Sequence, residues 1–319
     1  MKSVSIVMPA HNRGHLLART LQSIREQMYP SLEIIVVEDG DDGLTQTVAE
    51  KYDAVYLRST RKEQVGFQSP AVVRNLGIRA AVGDILITQD AETYHEGNVI
   101  QSLVDALGDN HKILAAARTK LLPAETWLSG FVGACPSAVY RDTALSIGGY
   151  EEQFFGYGCE DDWYIQLLLW NDVKTQRVET VAAHQWHTPT PFEPFTGNAN
   201  RALVWALVTE TLWGARPPVA NIGPIPRQIP EQYLLSLAGN ESSDTLFEKR
   251  NRASAAQGEN PSAHPQAYIE QQMAEVAWGL SWAAKCESHP TCRERYLTLA
   301  DVAYRAAQRV LSGSRIPSL

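Results

Sequence analysis

The chain opens with residues 4–13, VSIVMPAHNR, an apolar run of strand length that ends at a proline and continues into polar residues. Similar apolar runs recur downstream and alternate with segments whose leucine, isoleucine and valine residues fall at helical spacing. The predicted strands are 4–8, 32–37, 54–57 and 85–88, and the predicted helices are 15–27, 44–52 and 71–81. Continuously apolar strands that alternate with helices predict an α/β fold with a parallel sheet covered on both faces.

The composition is that of a folded globular protein. Of the 319 residues, 44% are hydrophobic and 20% are charged, so the chain can bury a sizeable core. The formal net charge of −8 argues against a broad nucleic-acid-binding surface. No apolar run reaches the roughly 20 residues of a membrane-spanning helix, and the N-terminus does not have the pattern of a signal peptide. These features predict a cytoplasmic protein without a transmembrane segment.

Four cysteines in a chain of this length do not make a disulfide scaffold. Cys135 and Cys159 fall within predicted structure, whereas Cys286 and Cys292 flank a short segment that contains His289. We interpret that segment as a plain turn with two free thiols, and a disulfide or a metal site is the alternative.

The alternation of strands and helices stops near residue 190. Before it, residues 162–170 predict a helix and residues 174–183 predict a strand. After it, a proline-rich segment (214–230) and a polar segment (239–266) separate predicted helices at 201–213, 266–286 and 293–311. We therefore predict one α/β domain over residues 1–190 and a mainly helical C-terminal region over residues 191–319.

Acidic residues directly follow two of the predicted strands. Glu38 and Asp39 follow the second strand, and Asp90 and Glu92 follow the fourth. Ligands of open parallel sheets bind beyond the carboxyl ends of the strands, so both pairs are expected at one edge. Asp90 and Glu92 alternate along the chain, which lets their carboxylates hold one hard divalent cation. The simpler alternative is a pair of solvated turns.

Two further clusters lie later in the chain. Glu160, Asp161 and Asp162 open a predicted helix, where the helix dipole favours acidic residues and where one carboxylate can act as a base. Residues 184–187, HQWH, place His184 and His187 three residues apart after a predicted strand. Histidine is a common metal ligand, although a lone histidine is usually structural.

In their order along the chain, these segments resemble family 2 glycosyltransferases with the GT-A fold, over roughly residues 3–190. Residues 4–13 are similar to the opening strand and first nucleotide-binding turn, and residues 34–40, IIVVEDG, resemble the VVDDGS segment. Residues 74–78, RNLGI, resemble the ARNxGI helix, and residues 90–92, DAE, occupy the position of the metal-binding DxD. Residues 147–163, IGGYEEQFFGYGCEDDW, resemble the GGxDExFxGWGxED segment of chondroitin-polymerase-type and galactosyltransferase-like members.

The resemblance implies an inverting, metal-dependent enzyme that moves a sugar from a UDP-sugar to an acceptor hydroxyl. It implies that Asp161 is the base beside Glu160, and that Mn²⁺ or Mg²⁺ binds the diphosphate through Asp90, Glu92 and His184. His187 is the alternative histidine ligand. The residues implied in donor binding are Pro9, His11, Asn12, Arg13, Glu38, Asp39, Arg74, Asp90 and Ala91.

Several alternatives stay open at this stage. The acceptor can be a glycan, a protein, a lipid or a modified nucleobase, and the C-terminal region can serve as an acceptor lid or a homo-oligomer contact. Residues 36–41, VVEDGD, also have the pattern of a haloacid-dehalogenase-type phosphatase, and a non-catalytic nucleotide-sugar-binding protein is a further hypothesis. Four aromatic residues are candidate platforms for sugar rings or else core residues: Trp127, Tyr157, Trp163 and Trp186.

Overall fold

The computed structural model describes residues 2–60, 68–128, 130–154, 156, 158–187, 217–221 and five single residues (200, 204, 207, 294 and 297). The turn at residues 286–292 lies outside this set, as do nearly all residues of the three helices predicted after residue 190. The chain divides into two compact units, Met1–Phe192 with Pro218–Ile222 and Glu193–Pro217 with Gly223–Leu319. Within the part of the chain that the structure describes, no helix is long and apolar enough to cross a membrane.

The first unit begins with a parallel sheet flanked by helices. Its elements are β1 (Val4–Ala10), α1 (Gly14–Arg25), β2 (Leu32–Glu38), α2 (Leu44–Lys51), β3 (Val55–Arg58), α3 (Pro70–Ala80) and β4 (Ile85–Thr88). β1 lies between β2 and β4, and β3 adds to the far side of β2, with all three pairings parallel. The predicted alternation is confirmed here, because each apolar run forms a strand and each helical pattern forms a helix, although the edge strand β3 is largely exposed.

Beyond β4 the sheet becomes mixed. The later elements are β5 (Thr93–Glu96), α4 (Val99–Leu107), β6 (Ile113–Leu121), β7 (Thr126–Trp127), β8 (Ser137–Tyr140), α5 (Arg141–Ser146), α6 (Glu160–Trp170) and β9 (Lys174–His184). β8 runs antiparallel to both β4 and β6, and the strand order is β3-β2-β1-β4-β8-β6-β9-β5 with β7 beside β6. Parallel pairing is thus limited to β1–β4 and to the pair β6–β9, because an apolar pattern does not encode the direction of a strand.

Two regions supply the best-buried side chains. Ile6, Leu17 and Ile34 are at most 1% exposed and belong to the core between the sheet and α1. Trp163 and Tyr164 of α6 are also at most 1% exposed, and the Trp163 ring meets Trp170 edge-on at 5.6 Å between ring centroids. Trp163 therefore packs in the interior and is not accessible as a platform for a sugar ring.

Candidate active site

The predicted site residues gather at the carboxyl edge of the parallel strands. In register, Ala10 of β1 faces Glu38 of β2, and Val7 of β1 faces Thr88 of β4. The segments that leave these three strands, residues 11–13, 39–42 and 89–92, therefore begin side by side. This is the edge at which open α/β sheets bind ligands.

The turn after β1 is bonded to the turn after β2. His11 Nδ1 lies 2.9 Å from Asp39 Oδ1, and the Asn12 backbone N–H donates to Glu38 Oε1 at 3.0 Å. Glu38 is 1% exposed, and Asp39, at 6%, also accepts a hydrogen bond from the Ser69 backbone N–H at 3.4 Å. Glu38 thus holds the backbone of the turn from a buried position, whereas the paired side chains of Asp39 and His11 form the polar surface of the turn. Pro9 lies in β1 and is half-buried.

Arg74 of α3 is the centre of a buried ionic cluster. Its guanidinium group is 3.0 Å from Glu160 Oε1, 3.1 Å from Asp90 Oδ1 and 3.6 Å from Asp161 Oδ2, and the Arg74 side chain is 4% exposed. Three carboxylates around one buried guanidinium leave an excess of negative charge. Such a cluster favours a further cation or a proton.

Two of these carboxylates come from the first turn of α6 and differ in accessibility. The Glu160 side chain is 7% exposed and held on Arg74, whereas the Asp161 side chain is 29% exposed. Asp161 Oδ1 has no hydrogen-bond partner among the described residues. Gly133 lies against the same carboxylate, since a Cβ there would be 2.5 Å from Asp161 Oδ2. Asp161 therefore has the more accessible side chain of the two, and its Oδ1 is a buried acceptor without a partner among the described residues.

Burial sets the protonation of this cluster. Burial raises the pKa of Asp161 to about 6, against the opposing effect of Arg74 and with the support of the nearby Asp90 carboxylate. Burial likewise raises the pKa of Glu160 to about 7 and that of Asp90 to about 6. Carboxyl groups with raised pKa values in a cleft are candidates for proton transfer at neutral pH.

A second group, Glu92 with His184 and His187, has the composition of a metal site. One ligand atom from each residue lies within 4.8 Å of the others. Glu92 Oε1 is 3.0 Å from His187 Nε2 and 3.7 Å from His184 Nε2. A carboxylate with two imidazoles suits a divalent transition-metal ion.

The strand pairing of β5 and β9 brings this group together. Thr93 pairs with His184 across the two strands, so Glu92 and the end of β9 are adjacent. Gln185, which is 8% exposed, fixes the turn by donating from its backbone N–H and from Nε2 to the Glu92 carbonyl, at 3.0 and 3.1 Å. The two histidines thereby lie beside the same carboxylate.

The charge states of this group also favour a cation. Burial opposes ionisation of Glu92, but the hydrogen bond from His187 and the positive charge of Arg13 lower its pKa to about 2. Burial lowers the pKa of His184, so its imidazole is neutral at pH 7. An ionised carboxylate and a neutral imidazole are the forms that bind metal ions.

Asp90 is not a member of the three-residue group that contains Glu92, although burial and the nearby Glu92 carboxylate raise its pKa. Asp90 Oδ1 lies on Arg74, and Ala91 between the two acids is fully buried. Arg13 lies on the other side, where its Nε is 3.4 Å from Glu92 Oε1 and its guanidinium donates to His187 Nδ1 at 3.2 Å. The metal role inferred for Asp90 from the sequence stays a prediction, whereas Glu92, His184 and His187 lie together.

Two protein-family models match successive parts of the chain. Residues 5–129 match the model of glycosyl transferase family 2, and residues 118–190 match the model described as the N-terminal domain of galactosyltransferase. The chain carries a family 2 glycosyltransferase domain. The match includes Glu38 and Asp39, so it favours this family over the phosphatase hypothesis for residues 36–41.

Individual relatives of this glycosyltransferase domain are distant. Glycosyltransferase GlyG of Streptococcus pneumoniae is 31% identical over 103 residues, which is 31% of this chain and 33% of GlyG. Chondroitin synthase of Pasteurella multocida is 32% identical over 119 residues, 36% of this chain and 12% of that protein. The matched region thus spans a third or less of the length of these relatives.

Solved structures identify the fold of the glycosyltransferase domain as GT-A. A crystal structure of GalNAc-T7 with UDP, GalNAc and Mn²⁺ has a TM-score of 0.53 and 17% sequence identity, over 65% of this chain and 49% of that one. At this identity the likeness concerns the fold. The GT-A fold inferred from the sequence motifs is thereby confirmed.

The candidate sugar platforms are at different depths. Trp127 and Trp186 are 51% and 66% exposed, respectively, and Trp186 lies between the two histidines of the metal group. Trp163 is buried, and Tyr157 lies outside the described residues. Trp127 and Trp186 keep the role that the sequence suggested as a hypothesis, and the prediction for Tyr157 is not tested by the described residues.

Residues outside the predicted set hold the candidate site in place. Tyr150 is fully buried, and the guanidinium carbon of Arg74 lies 5.3 Å from the centroid of its ring. Asn75 brackets the Tyr150 backbone, donating to its carbonyl at 2.7 Å and accepting from its N–H at 2.8 Å. Asn75 was part of the RNLGI motif and could have been found there. Nothing in the sequence marked the Tyr150 side chain.

Replacing Gly149 by alanine is expected to destabilise the domain by roughly 2–4 kcal/mol, because two costs add. Gly149 has φ +71°, and a Cβ there would lie 2.4 Å from Asn75 Oδ1, which is held by the Tyr150 backbone. Gly97→Ala is the matched control, since Gly97 has φ +85° with nothing within 4 Å of its Cβ position. It should cost about 1 kcal/mol. Urea unfolding measures both, and equal losses would refute the contact.

Proposed function

We propose that the protein is an inverting, metal-dependent glycosyltransferase that moves a sugar from a UDP-sugar to an acceptor hydroxyl. The observation that carries this proposal is the arrangement at the carboxyl edge of the sheet. There Arg13 connects the turn that contains His11 to the group of Glu92, His184 and His187, and Asp90 lies on Arg74 beside Asp161. A nucleotide site, a metal site and a base are the three parts that this reaction needs.

The residues present fit a divalent metal ion. Glu92 supplies an ionised carboxylate and His184 a neutral imidazole, while His187 adds a second imidazole. Two nitrogen ligands favour Mn²⁺ over Mg²⁺, which prefers oxygen ligands. When bound, the ion would act as a Lewis acid on the diphosphate leaving group. The UDP and Mn²⁺ bound in GalNAc-T7 agree with this choice of donor and metal.

His187 can serve as a metal ligand through Nε2 only in the tautomer whose proton lies on Nδ1. The Arg13 guanidinium donates to His187 Nδ1, so in the neutral imidazole the Nε2 carries the proton, and Nε2 faces Glu92. His184 has no such constraint from Arg13 at its Nε2, which faces Glu92 at 3.7 Å. We infer that His184 and Glu92 are the primary ligands and that His187 joins when its proton moves from Nε2 to Nδ1, which ends the hydrogen bond that Nδ1 accepts from Arg13.

Asp161 is the residue that we assign as base. It has the more exposed side chain of the two carboxylates at the start of α6, and one oxygen is free of partners among the described residues. Glu160 instead orients Arg74 through its 3.0 Å contact. A base that takes the proton of the attacking hydroxyl supports a single displacement at the anomeric carbon, and a single displacement inverts that centre.

The direct test is UDP release from a panel of UDP-glucose, UDP-galactose, UDP-N-acetylglucosamine, UDP-N-acetylgalactosamine and UDP-glucuronate. With MnCl₂, at least one donor should be consumed by transfer or slow hydrolysis, and EDTA should stop the reaction. NMR of the product should show the anomeric configuration opposite to that of the donor. If no donor is consumed with MnCl₂ present, the protein binds nucleotide-sugars without transferring them, and the proposal fails.

The rate of UDP release is expected to rise with pH through about 6 and then level off. Burial raises the pKa of Asp161 to about 6, and the base must be ionised to accept a proton, so activity is lost as the pH falls below that value. A pH profile of kcat from pH 5 to 8.5 measures this effect. A profile that falls with rising pH across this window would contradict the assignment.

A further inference from the structure

A short segment that lies far along the chain from Asp161 is hydrogen-bonded to the turn near that residue. We call residues 218–221 the clasp. The Ala220 backbone N–H donates to the Ile147 carbonyl at 2.8 Å, and Asn171 Nδ2 donates to the Pro218 carbonyl at 2.8 Å. Gly148 permits the close approach, because a Cβ there would lie 2.8 Å from the Ala220 carbonyl oxygen. The clasp therefore lies directly on residues 147–152.

Asn221 forms most of the hydrogen bonds of the clasp. Its backbone N–H donates to Glu151 Oε2 at 3.0 Å, and its Oδ1 accepts from the Glu152 backbone N–H at 2.9 Å. Its Nδ2 donates to the carbonyls of Gly148 and Tyr150, at 3.1 and 2.9 Å. One side-chain amide thus satisfies backbone groups on both sides of Tyr150.

Asn75 of α3 also holds the Tyr150 backbone. Its side chain bonds both the N–H and the carbonyl of Tyr150, and it follows Arg74 directly in α3. The Tyr150 backbone is therefore fixed between two asparagine side chains, one from α3 and one from the clasp. The Tyr150 side chain, which is fixed in this way, lies beside the ionic cluster around Arg74.

The Tyr150 ring is part of the wall of that cluster. It is fully buried, stacks on the Tyr164 ring at 4.2 Å between centroids, and lies 5.3 Å from the Arg74 guanidinium carbon. Its hydroxyl has no hydrogen-bond partner among the described residues, and burial together with the nearby Asp161 carboxylate raises the pKa of Tyr150 well above its usual value. A displacement of Tyr150 would shift the surroundings of both Arg74 and Asp161.

We propose that Asn221 is a positioning residue for Arg74 and Asp161 and acts through Tyr150. This inference rests on the proposed function for its catalytic consequence, but its structural part does not. The bond network leads from Asn221 to the Tyr150 backbone, and from the Tyr150 ring to the guanidinium of Arg74. Small displacements of catalytic groups can lower rates by roughly a hundredfold.

The chain offers a variant and a control that separate positioning from general loosening. Asn221 has φ +59°, which glycine adopts without strain, so Asn221→Gly removes only the side chain and keeps the N–H that bonds Glu151. Asn171→Ala is the control, since it loses the contact of the clasp with Pro218, far along α6 from the base.

The first measurement is the NMR signal of the Arg74 Nε–H group in the free protein, assigned by its loss in Arg74→Lys. In Asn221→Gly we expect this signal to shift by more than its linewidth, and in Asn171→Ala to stay in place. An Arg74 signal that does not move in Asn221→Gly overturns the inference, whatever the enzyme does.

The second measurement is the kinetics of UDP release with MnCl₂ and the donor that the wild-type protein consumes. For Asn221→Gly we expect kcat to fall roughly ten- to hundredfold with KM for the donor within about threefold of wild type. Asn171→Ala should keep the wild-type kcat. Equal kcat losses in the two variants overturn positioning. A wild-type protein that consumes no donor refutes the proposed function, while the NMR result still decides the structural inference.

Discussion

Asp161→Asn is expected to lower kcat for sugar transfer, or for donor hydrolysis, by roughly 10²–10⁴-fold, which is the usual contribution of a general base. The substitution keeps the shape of the side chain and removes its ability to take a proton. Asp161 is suited to this role because one of its oxygens has no partner among the described residues and its pKa is raised to about 6. The Kd of the donor should change little, since Asp161 accepts the proton of the other substrate.

The loss should not come from unfolding. A carboxyl group whose pKa is raised on folding contributes stability below its unfolded pKa, and that contribution is lost as the pH rises through the folded pKa of about 6. At pH 8, ionised Asp161 therefore works against the folded state. Asparagine removes this cost, so Asp161→Asn should be at least as resistant to urea as wild type at that pH.

Asp162→Asn is the matched control, because Asp162 occupies the same first turn of α6 but is exposed. Its kcat should stay within about twofold of wild type, as surface substitutions seldom matter. Glu160→Gln should be less damaging to kcat than Asp161→Asn, because it changes only the contact that orients Arg74. If Asp161→Asn retains most of the wild-type kcat, the base has been assigned to the wrong carboxylate.

Loss of Mn²⁺ binding is the second large effect that we expect. Glu92→Gln, and separately His184→Ala, should weaken Mn²⁺ affinity by more than about a hundredfold. Removing residues that only support metal ligands already costs 10–100-fold, so loss of a ligand should cost more. The electron paramagnetic resonance signal of free Mn²⁺ measures this directly without a donor or an acceptor.

Glu96→Gln is the control for the metal site. Glu96 lies on β5, the strand that follows Glu92, but it pairs with Lys120 at 3.1 Å and is absent from the three-residue group. Its Mn²⁺ affinity should equal that of wild type. Asp90→Asn should weaken Mn²⁺ binding less than Glu92→Gln in the donor-free protein, because Asp90 lies on Arg74. The reverse order would show that Asp90 is the primary ligand.

The sequence was sufficient to predict the first half of the fold. The strands at Val4–Ala10, Leu32–Glu38 and Ile85–Thr88 are buried on both faces, so their apolar runs are continuous and easy to recognise. The second half was harder. β5 carries His95 in its interior, where burial lowers the pKa of the imidazole to about 3 and where Gln89 and Gln27 satisfy both ring nitrogens. No pattern along one strand indicates such distant partners.

The sequence was sufficient to predict which residues lie at the site, but not which of them contact one another. Motif order selected Arg74, Asp90, Glu92 and Asp161, and all four lie at one edge of the sheet. The sequence placed Asp90 and Glu92 on the same ion, because alternate residues of a loop can reach one point. The structure directs Asp90 to Arg74 and Glu92 to the histidines, since a buried guanidinium competes for the first carboxylate. Asn221 was not predictable at all, because 146 residues separate it from Asn75.

The anomalous scattering of manganese in crystals grown with MnCl₂ and UDP locates the metal site. We expect one strong peak coordinated by the Glu92 carboxylate and the His184 imidazole, next to the phosphates of UDP. A manganese peak that lies elsewhere in the domain, or UDP phosphates bound away from Glu92 and His184, would contradict this expectation.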